Sequence, residues 1–468
     1  MSLMGIFDIG KSAIFASQTA LNVAGHNISN VNTPGYSRQE LILEPAAAVT
    51  VGQNYLGRGV ATPDVRRHYD KFLQSQLILQ KQSYGRSLSL GEGLGYAEQI
   101  FNEASGMGLS TALGDFFRAW HDVANSPDGQ SERTVLIQKA QTLVQRVSTM
   151  ESGLEDLVAQ TERELSNVLE RVNSLAAEIA GVNEMILRAE AGGTKNANDL
   201  RDTRERLLGD LAELIGFDHF EAPDGMVTVI VDGKNLVDKK RYSPIEGVRQ
   251  PDGTTKLFMD GNEVGGVRKG RLGGLIATRD AVRDQLLTPL RKIVASLVYS
   301  VNGQHRLGYD LNGEAGGDFF LPPVADPASG YESVIKDLAV AVSDPRKVAA
   351  SSGLDPATGQ PLPGNNQNAL ALASLASAEI DISGTRATLE THYSSLVTTS
   401  GSLSYTAQDN MTFEATLLDD IQFRLDSVSS VSLDEEAANM VRFQRAFQAG
   451  ARLVAVTDEL LETVLEML

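Results

Sequence analysis

A seven-residue apolar repeat runs unbroken through the C-terminal end of the chain: Leu433, Met440, Phe447, Val454, Leu461 and Leu468. Side chains spaced by sevens share one seam of a helix, the spacing of helices that wind around a partner. Ser432 followed by Glu435 supplies a capping box at the start. A helix from Leu433 to Leu468 would be about 54 Å long at about 1.5 Å per residue. The positions three residues on are poorer, with Glu436, Gly450 and Thr457 among Phe443 and Val464. A helix with one good stripe is marginal alone in water, so this one needs a partner that covers a wide face.

The other end of the chain offers that partner. Phe7, Ile14, Leu21 and Ile28 repeat in sevens within a helical pattern from 6 to 31. Gly10, Ser17, Ala24 and Val31 form a second, mostly small stripe that lets another backbone come close. The pattern stops at Asn30-Val-Asn-Thr-Pro-Gly-Tyr36, because Pro34 disfavours helix at Thr33 and Pro34-Gly35 starts a turn. Such stripes serve either the core of one molecule or contacts between molecules. Repeats at both extremes of a chain invite a coil paired from its two termini.

The N-terminal helix also carries a competing signal. Gly5–Ser12, GIFDIGKS, fits the phosphate-loop pattern G-x-x-x-x-G-K-[ST]. A phosphate loop needs a buried strand before it and small residues whose N–H groups face the phosphate. Here four residues precede it, its interior holds Ile6, Phe7 and Ile9, and the repeat that begins at Phe7 runs through it. It reads as helix. Gly91–Gly95, GEGLG, lacks the strand and spacing of a dinucleotide loop and reads as a flexible interruption between helices. The six histidines are scattered, and neither H-E-x-x-H nor G-x-S-x-G occurs. No catalytic, cofactor or metal residue is assigned.

Between the termini the chain is largely helical. Val158, Leu165, Val172, Ile179 and Ile186 repeat in sevens, with Val168, Leu175 and Val182 offset by three; this predicts a long coiled-coil-like helix ending near Gly192-Gly193. Helical patterns follow at 197–215, 275–303, 367–380 and 384–425. Residues 217–272 change character: MVTVIV (226–231) alternates, and Asp-Gly pairs at 224, 232, 252 and 260 mark hairpin turns. Residues 307–365 read as a loop-rich excursion. The expected architecture is mainly α, discontinuous and multidomain, with paired terminal helices and a small β insert. Residues 1–39 and 431–468 form the inner assembly helices, 40–216 and 273–430 the helical body, and 217–272 an inserted outer β domain.

Charge narrows the partners. The 468 residues carry 41 Lys and Arg against 60 Asp and Glu, a net charge of −19, which argues against nucleic acid or an anionic membrane. There is no cysteine, so no thiol chemistry and no disulfide enters. No apolar run reaches the ~18–20 residues of a membrane span, and the N-terminus lacks the basic start and apolar core of a cleaved signal peptide. Export, if it occurs, is expected by another route, without membrane insertion.

Residues 24–39, AGHNISNVNTPGYSRQ, resemble the N-terminal signature of the bacterial flagellar rod, hook and hook-associated axial proteins. Ser37-Arg38-Gln39 after Tyr36 is more similar to the hook-associated members than to rod or hook subunits. The C-terminal SLDEEAANMVRFQRAFQAGARLVAVTDELLETVLEML agrees, as do 115–143, 198–216 and 301–320, so the resemblance covers essentially the whole chain. It implies a structural protein that passes unfolded through the flagellar type III export apparatus, then assembles with itself as a helical ring between hook and filament. Its implied neighbours are the hook protein and hook-associated protein 3. It also implies that Phe7, Ile14, Leu21, Ile28, Asn30, Thr33, Pro34, Gly35 and Tyr36, with Leu433, Met440, Phe447, Val454, Leu461 and Leu468, belong to the assembly interface lining a central channel. Before export a cytoplasmic chaperone would shield Met440, Phe447, Val454 and Leu461. A hook or rod subunit, or an extracellular hydrolase built on the β insert, are the alternative readings.

Overall fold

The computed structural model describes the chain except residues 1–2, 52–53, 102–107, 192–195, 323–332, 360–361, 363 and 467–468. The chain forms two compact units: residues 1–86, 168–272 and 413–468 make the first, and 87–167 with 273–412 the second.

The first unit begins with α1 (Leu3–Ser29) and closes with α11 (Leu433–Glu466). Between them lie β1 (Gln39–Pro45), β2 (Val49–Val51), β3 (Asn54–Leu56) and β4 (Val60–Arg67). β1 pairs antiparallel with β4 and β2 with β3, so strands occupy part of what the sequence assigns to the helical body. Pro45 and Pro63 obscure the alternation there, and neither two-stranded pair has a central strand for them to disrupt. α5 (Asn198–Leu214) follows the long α4 (Gln130–Ala189), and the unit takes α4's residues from Val168 onward. The predicted seam of α4 is core: Leu165, Val172, Leu175, Ile179 and Ile186 are fully buried. The helix starts well before Val158, and the stop expected at Gly192-Gly193 falls outside the described residues.

The β-rich segment forms two sheets. β5 (Asp218–Glu221), β6 (Val227–Val231), β7 (Lys234–Asp238) and β8 (Arg241–Tyr242) make one in sequence order. β9 (Ile245–Arg249), β10 (Thr255–Met259) and β11 (Asn262–Glu263) make the other, with β10 central. The Asp-Gly pairs sit at the hairpin turns. Asp232-Gly233 and Asp260-Gly261 have positive φ at both residues, as a two-residue type I′ turn requires. Two asparagines of α4 tie it to the strands: Asn183 Nδ2 donates to Val227 O and Lys239 O at 2.8 and 2.7 Å, and Asn173 exchanges two bonds of 2.9 Å with the backbone of Ile245.

The second unit packs the remaining part of α2 (Lys71–Ile100) and of α4 with α3 (Leu109–Asn125), α7 (Thr288–His305), α8 (Ser333–Lys336) and α9 (Gln367–Ser374). GEGLG lies inside α2, not between helices. A Cβ on Gly91 would stand 3.3 Å from Met411 Sδ, and one on Gly93 2.3 Å from Thr278 Cγ2, so these glycines permit close helix packing. The predicted 275–303 helix is α6 (Gly270–Ala281) and α7 joined by a π-turn over Val282–Leu287. Pro289, near the start of α7, cannot donate a backbone hydrogen bond, and the wider turn absorbs that loss. The 367–380 pattern is shorter in fact, since β12 (Ile380–Ile382) and β13 (Thr385–Ala387) form a hairpin before α10 (Leu389–Ser429).

An aromatic cluster of Phe116, Trp120, Phe319 and Phe320 meets the fully buried His305 through Trp120 and Phe319. His305 Nδ1 bonds Gly317 O at 2.7 Å, and Nε2 accepts the Ala349 N–H at 2.9 Å. Only the neutral imidazole satisfies both contacts, and burial holds its pKa below the usual 6.5. The unfolded chain therefore takes up this proton first. The stabilisation is complete above about pH 6.5 and falls as pH drops below that value. Thermal melts from pH 7.5 to 5 should show the second unit losing stability, and His305→Gln, which does not titrate, should flatten that slope. An equal slope in both proteins would remove His305 as its cause.

Candidate assembly site at the paired termini

α1 and α11 lie against each other antiparallel, with the C-terminal end of α1 beside the start of α11. They approach closely where glycine meets glycine. A Cβ on Gly10 would sit 2.8 Å from Val454 Cγ2 and 3.4 Å from Gly450 O, and one on Gly450 3.1 Å from Ile14 Cγ1. Gly10, Ser17 and Ala24 are buried, as are Glu436, Gly450 and Thr457 of α11. The positions that look poor in sequence thus form the tight inner seam, because small side chains bring the backbones together. Phe7, Ile14, Leu21 and Ile28 flank it half-buried, as do Phe447, Val454 and Leu461. Leu433 and Met440 are exposed, and Leu468 lies outside the described residues. The phosphate-loop pattern is a stretch of α1, where Lys11 is exposed and its ammonium lies 5.8 Å from the Phe15 ring centre.

Large apolar side chains remain uncovered on both helices. Phe15 is 56%, Val456 53%, Leu460 46% and Leu465 72% exposed. Singly these would be ordinary; together they give the helix pair an exposed apolar surface.

The Asn30–Gln39 turn fastens this pair to the rest of the unit. Asn30 Nδ2 donates to His26 O at 3.0 Å, and Thr33 Oγ1 to Asn30 Oδ1 at 3.1 Å. Pro34 and Gly35 are exposed, and Gly35 takes a positive φ of 75° that suits glycine. Tyr36 folds back: its hydroxyl donates to Asn27 Oδ1 at 2.8 Å and lies 3.0 Å from His26 Nδ1. Burial, with Asp199 and Asp202 nearby, raises the Tyr36 pKa, so the phenol stays protonated as that donor. Asn27 also exchanges two hydrogen bonds, of 2.8 and 2.9 Å, with the backbone of Gln39.

The three residues after Tyr36 make the long-range links. The Ser37 N–H donates to Asp202 Oδ2 at 3.0 Å, and Arg67 holds the other oxygen at 2.7 Å. The Arg38 N–H donates to Ser429 O at 2.9 Å, at the end of α10. Its guanidinium reaches across the α10–α11 elbow to Glu436 at 2.8 Å and Glu435 at 3.0 Å. Glu436 is only 3% exposed at its side chain, so Arg38 neutralises a buried carboxylate. Sequence reading missed Asn27, Arg38, Asp202 and Glu436 as site residues; Glu436 on an apolar face was the one available sign.

The turn also walls a cavity of about 630 Å³ shared with Tyr69, Asp202, Glu205 and Asp426. Burial raises the pKa of Glu205, opposed by Arg204 and Arg67. Those arginines stand 3.8 and 3.7 Å from it, which makes the group part of a charge cluster that braces α5.

A discontinuous helical chain whose two ends pair, clamped by a Thr-Pro-Gly-Tyr turn, is the arrangement expected of an axial protein of the bacterial flagellum. The family descriptions agree: "Flagellar hook-associated protein FlgK helical domain" matches residues 94–320, "Flagella basal body rod protein" 7–36, and "Flagellar basal body rod FlgEFG protein C-terminal" 426–467. The chain is similar throughout to hook-associated protein 1, and it is a structural protein of the flagellar hook–filament junction. Among its relatives, flagellar hook-associated protein 1 of Bacillus subtilis is 29% identical over 99% of this chain and 98% of that protein. The Escherichia coli protein of that name is 23% identical over 99% of this chain and 100% of its own. A solved structure of the flagellar hook junction protein from Burkholderia pseudomallei shares the fold at a TM-score of 0.65, with 16% identity, over 76% of this chain and 100% of that one.

Proposed function

We propose that copies of this chain join through α1 and α11 into a ring that adapts the hook to the filament, outside the cell and without catalysis. The observation that carries this reading is the uncovered apolar surface of a helix pair already packed tightly along its inner seam. The predicted residues Phe7, Ile14, Leu21, Ile28, Phe447, Val454 and Leu461 hold the pair together, and the exposed Leu433 and Met440 meet a neighbour. The hook protein lies on one side of the ring and hook-associated protein 3 on the other. Before assembly an export chaperone shields the apolar residues of α11 on the way to the type III export apparatus, and its footprint includes Met440, Phe447, Val454 and Leu461. Residues 1–39 and 431–468 serve assembly, 40–216 and 273–430 form the body, and the β-rich 217–272 faces outward. Deleting the gene should leave cells with hooks whose filaments are shed into the medium, with attachment restored by the unaltered gene. Filaments that stay attached in the deletion strain would overturn this reading.

A further inference from the structure

Asp-Gly and Asn-Gly are the dipeptides at which a chain rearranges most readily on itself. The glycine nitrogen, with no side chain to hinder it, attacks the Cγ of the residue before it. Water leaves aspartate, or ammonia leaves asparagine, and a succinimide ring forms. Water then opens the ring at either carbonyl, giving aspartate or isoaspartate, whose main chain runs through Cβ. The sequence holds five Asp-Gly pairs, at 128, 224, 232, 252 and 260, and two Asn-Gly pairs, at 302 and 312. Ring closure needs the nitrogen and the side-chain carbonyl free to turn toward each other, so the hydrogen bonds of each pair decide where it occurs.

Six of the seven pairs are held. The N–H groups of Gly129, Gly225 and Gly253 donate to Ser126 O, Ala222 O and Gln250 O at 2.9, 2.9 and 3.0 Å, and that of Gly313 to Asp310 O at 3.2 Å. Asp224 accepts from Lys239 and the Met226 N–H, and Asp252 from Thr254. Asn302 is buried in α7, where its side chain bonds the backbone of Phe319 and Phe320. Asp232 joins two interior strands, β6 and β7, and its carboxylate accepts the Gly266 N–H at 3.0 Å. Asp260 differs. Its backbone carbonyl accepts Asn262 Nδ2 at 3.1 Å, but among the described residues its carboxylate has no hydrogen bond or ion pair and the Gly261 N–H has no acceptor. Both residues are exposed. Their turn leads into β11, which is two residues long and lies at the edge of its sheet. Opening it loosens only the Met259–Asn262 pair, because Glu263 is anchored behind by Lys234 and Lys256. So small an opening at an exposed edge costs little.

We infer that Asp260-Gly261 is a modification site, where the folded chain converts aspartate to isoaspartate through a succinimide. Water leaves as the bond from Gly261 N to Asp260 Cγ forms, and returns as the ring opens, so water is the only reagent. The product adds one main-chain atom to a two-residue loop, which then loses the type I′ geometry that closes β11 on β10.

Ageing the full chain for weeks in warm neutral buffer tests this. Isoaspartate is labelled with protein L-isoaspartyl methyltransferase and located by peptide mapping. The tryptic peptide 257–268 should carry about tenfold more label than any other Asp-Gly or Asn-Gly pair, the ratio set by the cost of opening each turn. In urea, where no hydrogen bond holds any pair, the five Asp-Gly pairs should react alike. Asp260→Glu, whose longer side chain would have to close a six-membered ring, should leave that peptide unlabelled. Equal labelling across the pairs of the native chain, no label at Asp260, a lead for Asp260 that persists in urea, or label that survives Asp260→Glu would each defeat the inference.

Discussion

Replacing Arg38 with alanine should loosen α11 from the first unit while leaving the second intact. The substitution strands the buried Glu436 carboxylate without its partner, and removing one member of a buried pair costs about 3–5 kcal/mol. It also removes the contact to Glu435, though the backbone bond to Ser429 O survives. Limited proteolysis of the soluble chain should cut first at the elbow between Ser429 and Leu433, with cleavage at least tenfold faster than in the unaltered protein. Arg38→Ala combined with Glu436→Gln should recover most of the protection, because no buried charge is left unpaired. If the double variant is as sensitive as the single one, the guanidinium acts through packing and not through charge.

That residue also shows where sequence reading reached its limit. Periodicity reported the terminal helices and the seam of α4 well, since each is a local signal repeated many times. It ranked the stripes of α11 by apolarity and so placed the contact on Met440 and Phe447. The structure adds a buried seam with Gly450 and Thr457 beside the half-buried Phe447, Val454 and Leu461, because a seam between backbones is limited by size before it is limited by apolarity. The small stripe of α1 held that information: Gly10 and Gly450 each look weak alone and are complementary together. Arg38 is linked to Glu436 across 398 positions of sequence and Ser37 to Asp202 across 165, and no spacing rule brings such groups together. The β1–β4 region escaped for another reason. Its strands β1 and β4 are largely exposed and contain proline, so their alternation never accumulates. The Asp-Gly turns at 232 and 260, by contrast, are fully legible, because a positive φ at two successive residues leaves few alternatives to that dipeptide.

A single carboxylate at Leu461 should abolish attachment without unfolding the protein. Leu461 is half-buried on the α1 side of α11, near the end of the pair, and among the described residues only Glu436, Gly450 and Thr457 of that helix are fully buried. In the isolated molecule Leu461→Asp removes part of one leucine's burial, about 1 kcal/mol, and places a negative charge near the negative end of the helix dipole. The last turns fray, but the cores of both units, which Leu461 does not enter, keep their melting transition within about 2 °C. In the proposed ring the same loss recurs in every copy, and it falls where a neighbour should close over the pair, so it multiplies where the monomer feels it once. The expected result is a normally secreted, normally melting protein and cells whose filaments drift free in the medium, scored by electron microscopy. Leu461→Met, similar in volume and apolar, should keep filaments attached. Attachment by Leu461→Asp would show that the end of α11 lies outside the assembled contact and would move the interface toward Met440 and Phe15.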